Sequence, residues 1–157
     1  MPLAIERVQA PTDDARMLIG ELDAELSGTY TPDQRHGLNI ERLFQPDVVF
    51  FIARLDGAAV GCSGIAIDSG FAEVKRLYVR PSARSRGIAH AIVTRLEEES
   101  RYRGITRLAL ETGDAQAAAL RFYERCGFTR CGAFGAYATM PPREIARSVF
   151  FEKRIGG

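Results

Sequence analysis

Arg84, Ser85, Arg86 and Gly87 stand between a β-rich segment and an apolar-periodic one, and their types suit the binding of an anion. The preceding stretch, 71–79, has the β-branched and aromatic content of a strand, and Pro81 blocks a helix directly after it. Apolar residues then recur at Ile88, Ala91, Ile92 and Leu96, the spacing of one helix face. N–H groups in the first turn of a helix have no partners inside it, so this turn offers donors and a positive dipole end. Gly87 and Ala89 leave no bulk between main chain and ligand, and Arg84 and Arg86 add charge at the edge. A diphosphate fits that chemistry.

The elements that must hold this turn are legible on either side of it. Residues 3–8 alternate as a first strand, and Thr12 with Asp13 and Asp14 caps a helix with apolar positions Ala15, Leu18, Ile19, Leu22 and Leu26. A second helix is expected over 32–44, stopped by Pro46. Residues 48–55 and 59–67 read as a hairpin about Asp56-Gly57, and 71–79 completes an antiparallel meander of three strands. Val74 and Leu77 have opposite parity, so that third strand is either covered on both faces or bulged. The helix from Ile88 ends at Gly104, a strand spans 107–111, and Ala115, Ala118, Ala119, Phe122, Tyr123 and Cys126 form the stripe of another helix that Gly127 caps. Strands over about 128–133 and 148–151 finish the chain. Fold class is therefore α/β or layered α+β, a mixed and mostly antiparallel sheet with helices on both faces.

With 157 residues, 46% hydrophobic and 26% charged, the chain reads as a single domain over 1–157 with ample core. A formal net charge of +1 gives no reason to expect nucleic-acid or membrane partners. No run of about 18 apolar residues occurs, and the start of the chain lacks a leader pattern, so a cytoplasmic protein is expected. Cys62, Cys126 and Cys131 have no metal-ligand spacing; reduced, packed thiols and no metal are expected.

Neither G-x-x-x-x-G-K-[ST] nor an appropriately placed G-x-G-x-x-G is present. R-x-x-G-x-A, Arg84 to Ala89, resembles the pyrophosphate motif [RQ]-x-x-G-x-[GA] of the GNAT superfamily of N-acetyltransferases. A-L-R-F-Y-E-R-C-G-F, Ala119 to Phe128, resembles that family's second signature, A-x-x-x-Y-E-x-x-G-F, and the element order agrees over nearly the whole chain. The resemblance implies a GNAT-like sheet of six to seven strands and direct transfer of acetyl from acetyl-CoA, as cosubstrate, to a primary amine of a small molecule. A protein lysine or N-terminal acetyltransferase, or a non-catalytic acyl-CoA module, are the alternatives. Members commonly dimerise through C-terminal strands, which leaves a homodimer open.

Residue by residue, the resemblance gives the diphosphate to Arg84, Ser85, Arg86, Gly87, Ile88 and Ala89, and the pantetheine amides to Leu77, Tyr78 and Val79. The acyl group would lie where that strand splays from its parallel neighbour at 108–112. Tyr123 matches the tyrosine that protonates the departing thiolate, while Gln116 stands where many members carry Asn seven residues before it. An amine of pKa near ~10.4 must lose a proton before it attacks. Glu73 is the first candidate for that base and Glu111 the second, each with a salt bridge as its competing role. Tyr30, His36 and Tyr137, on variable early and late segments, are candidates for the acceptor pocket, together with Glu111.

Overall fold

Strand β2 (Val48–Leu55) has cores on both sides: Val49, Phe51 and Ala53 join one, Val48, Phe50 and Ile52 the other. Successive strand side chains point to opposite faces, so such an apolar run is stable only where both faces are covered. The computed structural model, which describes residues 2–156, covers them with three α-helices among the described residues. Helix α1 (Asp13–Ser27) lays Ala15, Leu18 and Ile19 on one face, and Thr12 Oγ1 accepts from the Ala15 N–H at 3.2 Å to start it. Helices α2 (Ile88–Tyr102) and α3 (Ala117–Arg125) lie on the other, where Ile88, Ile92 and Leu96 of α2 are buried. Each of those three side chains contributes about 1.5–3 kcal/mol relative to exposure.

The remaining strands are β1 (Leu3–Val8), β3 (Ala58–Ile67), β4 (Ala72–Val79), β5 (Arg107–Gly113), β6 (Thr129–Arg130) and β7 (Ser148–Arg154). Their order is β1-β2-β3-β4-β5-β7-β6, with β4–β5 parallel and the other pairings antiparallel. The meander and the mixed sheet are as expected, with seven strands. The final strand inserts between β5 and β6, and β6 is only two residues long.

The helix expected over 32–44 does not form. Short 3-10 turns at Pro32–Gln34 and Arg42–Phe44 replace it, and Arg35 between them is extended, with φ −102 and ψ 124. Gly37 explains the difference: a Cβ there would run into the Arg76 side chain, so the segment is pressed flat across β4 by tertiary contact. Periodicity cannot register that constraint.

Two features of β4 create the site. Cys62 faces Tyr78 and Gly64 faces Lys75, so Arg76 and Leu77 together stand opposite Ser63, and Arg76 takes a left-handed φ of 61. The extra residue changes the parity: Val74 and Val79 share the α2 face while Tyr78 turns toward α1. Both options read from Val74 and Leu77, a bulge and two covered faces, occur together. In addition, β4 pairs with β5 only at Ala72–Leu108, Glu73–Ala109 and Val74–Leu110. Beyond Val74 the two strands part.

Candidate active site

The parting strands open onto a cleft of about 410 Å³ whose walls include Leu77, Tyr78 and Val79 from β4, Glu111 from β5, Gln116 at the N-cap of α3 and Tyr123 within α3. Tyr30, Arg35 and His36, from the segment after α1, also line it. A second cavity, about 290 Å³, lies at the start of α2 and is lined by Ser85, Gly87, Ile88, Ala89 and His90. Val79, Arg84, Ala89, Phe122 and Arg125 line both. The two are compartments of one groove.

At the smaller compartment the main chain is shaped for an anion. Gly87 is the N-cap of α2 with φ 76, and no side chain caps the helix. Its first N–H groups therefore face the cavity uncompensated. Nothing lies within 4 Å of a Cβ built on Gly87, so the turn keeps both a left-handed bend and room beside it. Ser85, at φ 65, bends the same way. Arg84 is already engaged: Nε donates to the Val79 carbonyl at 2.8 Å and Nη2 pairs with Glu25 at 3.0 Å. Both partners of that pair are about half exposed, so it is worth about 0–1 kcal/mol and yields readily to a stronger anion. Arg86 is exposed and lines neither compartment.

Tyr123 is buried among Phe122, Phe128 and Phe151, with ring centroids 5.4, 5.8 and 6.0 Å away. Desolvation, with smaller contributions from Cys126 and Glu111, pushes its hydroxyl well above the usual tyrosine range. It is a protonated donor throughout neutral pH. Glu111 is also shifted upward, chiefly by burial, against the pull of a 2.6 Å hydrogen bond from the Ser148 hydroxyl and the charges of His36 and Lys75.

Glu73 and Tyr137 lie outside the walls of the cleft, in a closed polar triangle beneath it. Tyr137 donates to Glu73 Oε2 at 2.6 Å, Lys75 Nζ donates to the Tyr137 hydroxyl at 2.8 Å, and Lys75 and Glu73 pair at 2.9 Å. Lys75 also donates to the His36 carbonyl at 3.0 Å, while His36 Nε2 donates to the Glu144 carbonyl at 2.7 Å. The salt bridge weighed for Glu73 is thus present, with Lys75. Tyr30 is buried and accepts from the Ala115 N–H at 3.0 Å, and Arg147 covers its ring at 4.5 Å. No sequence motif marks the cleft residues Arg35, Arg76 and Arg125, and Arg35 lies in the segment whose pattern predicts a helix.

All three thiols are shifted upward by burial, Cys62 to about 12, which favours their protonated forms. Among the described residues no helix is long and apolar enough to cross a membrane.

The sequence profile of the Acetyltransferase (GNAT) family matches residues 16–128. A curated relative, the IAA acetyltransferase of Azospirillum brasilense, is 40% identical over 99% of this chain and 100% of that one. Among solved structures, an acetyltransferase of the GNAT family from Staphylococcus aureus superposes with a TM-score of 0.77 at 14% identity, covering 99% of this chain and 100% of that chain. The PaiA N-acetyltransferase of Thermoplasma acidophilum, solved with coenzyme A, superposes with a TM-score of 0.72 at 18% identity, covering 98% of this chain and 99% of its own. A family match across most of the chain, a near-full-length relative and the parted β4–β5 pair agree: this chain belongs to the GNAT family of acetyltransferases.

Proposed function

We propose that this acetyltransferase uses acetyl-CoA to acetylate a primary amine of a small molecule, in the cleft between β4 and β5. One observation carries the reading: the cavity at the uncapped start of α2 shares Val79, Arg84, Ala89, Phe122 and Arg125 with the cleft that Tyr123 and Glu111 both line. The fit to coenzyme A is supported by the open space beside Gly87 and by the relative from Thermoplasma acidophilum that carries it. A cleft of about 410 Å³, lined by Tyr30, Arg35 and His36, supports a small acceptor over a peptide.

Acetyl-CoA, when bound, supplies the thioester. The amides of Gly87, Ile88 and Ala89 grip the diphosphate, and Arg84 exchanges Glu25 for it. Leu77 to Val79 hold the pantetheine amides along the edge of β4 that β5 leaves unpaired, Gln116 adds a contact at the start of α3, and a β4 N–H receives the developing oxyanion. Glu111, rather than Glu73, takes the proton of the acceptor ammonium, directly or through a water. It lines the cleft, whereas Glu73 is committed to Lys75 and Tyr137. Tyr123 passes its proton to the departing sulfur and recovers one from the acylated nitrogen, which sheds its second proton as the amide forms. His36 and the Lys75–Glu73–Tyr137 triangle hold the acceptor side of the cleft in place.

Acetyl-CoA-dependent thiol release over a panel of amines tests the reading. Turnover of small amines is expected, and silence with every amine and peptide would contradict it. Gly87→Glu is expected to weaken coenzyme A binding, measured by calorimetry, by at least roughly tenfold, because a like charge replaces open space and the left-handed φ disfavours any side chain by about 1–2 kcal/mol.

A further inference from the structure

Four arginines line the larger compartment, and their pairings differ. Arg76 is bound to Asp23 at 2.5 Å and Arg84 to Glu25. Arg125 is exposed at the end of α3 and borders both compartments. The enclosed Nε atoms of Arg35 and Arg76 both lack a hydrogen-bond partner, but Arg76 is paired with Asp23 through Nη2; Arg35, half-buried in the cleft wall, differs in that no carboxylate pairs with it among the described residues. An enclosed guanidinium N–H left unsatisfied is costly, more so because it carries charge. The planar fork of arginine matches a carboxylate with two parallel hydrogen bonds.

Glu111 lines the same cleft, facing it with a carboxylate whose protein donor is the Ser148 hydroxyl. The cleft thus presents a negative group suited to an ammonium and, besides the exposed Arg125 at its border, a half-buried guanidinium that lacks an anion. We infer that the acceptor is an aminocarboxylate, a small molecule whose amine meets Glu111 while its carboxylate is held by Arg35. This rests on the amine-acetylation reading and narrows it. Arg35 then acts in specificity: it anchors the far end of the acceptor and sets the distance at which the amine approaches the acyl group.

The test compares α- and ω-amino acids and dipeptides with their own carboxamides and decarboxylated amines, by thiol release with acetyl-CoA. The best acid should exceed its amide in kcat/KM by roughly tenfold to a hundredfold, the range of a charge-assisted hydrogen bond. In Arg35→Gln that ratio should fall toward one, through a raised KM for the acid, and Arg35→Lys should restore part of it. Equal turnover of acid and amide, or a ratio that survives in Arg35→Gln, would overturn this inference and leave amine acetylation standing. Silence with every amine, while coenzyme A still binds, would overturn both.

Discussion

Tyr123→Phe is expected to lower kcat by roughly 10²–10⁴-fold, the usual contribution of a positioned general acid, while coenzyme A affinity stays at its native value. The hydroxyl is the only group removed, and the ring keeps its contacts with Phe122, Phe128 and Phe151. Fold and cofactor groove should therefore be intact, which thermal melting and calorimetry would verify. A leaving thiolate of pKa near ~8.5 needs a proton or a strong hydrogen bond where water is scarce. Tyr123, protonated because burial disfavours its anion, faces the cleft where that sulfur would stand. A variant that turns over at the native rate would assign Tyr123 to packing alone.

Substitution at the two carboxylates should separate chemistry from stability. Glu111→Gln is expected to cost roughly 10²–10⁴-fold in kcat/KM at neutral pH and to erase the acidic limb of the pH profile. That limb should lie above the ordinary glutamate range, because burial raises the pKa of Glu111 and a base is lost as pH falls through that value. The same shift fixes the sign for stability. A carboxyl raised in the folded state costs stability as pH climbs from its unfolded pKa, near ~4.3, through its folded value, and the cost is complete above it. Glu111→Gln should therefore melt no lower than the native protein at pH 8. Glu73→Gln should do the opposite. It leaves Lys75 buried without its anion, at a cost on the order of 3 kcal/mol, the low end for a broken buried pair, since Tyr137 and the His36 carbonyl still accept from Lys75. For a domain of this size that is a fall of roughly 6–12 °C in Tm. Were Glu73→Gln to lose the acidic limb and Glu111→Gln to keep it, the base would be Glu73.

These contrasts mark what the sequence could disclose. Motifs carried on one turn or one helix were readable because their geometry is local: Gly87 at φ 76 opening α2, the stripe ending at Tyr123, and the Asp56-Gly57 hairpin. Parity between Val74 and Leu77 even flagged the bulge at Arg76. What stayed hidden depended on distant partners. Tyr137, 64 residues from Glu73, closes the polar triangle. Arg76, beneath Gly37, flattens the segment expected to be helical. Glu25 occupies Arg84, and the insertion of β7 beside β5 brings Ser148 to Glu111. None of these leaves a periodic or spacing signal, and together they decide which carboxylate faces the cleft.

A crystal structure with coenzyme A bound is the most direct trial of the groove. The diphosphate is expected on the main-chain N–H groups of Gly87 to Ala89, with the sulfur between β4 and β5 within hydrogen-bond reach of the Tyr123 hydroxyl. A diphosphate held elsewhere, or a sulfur remote from Tyr123, would contradict it.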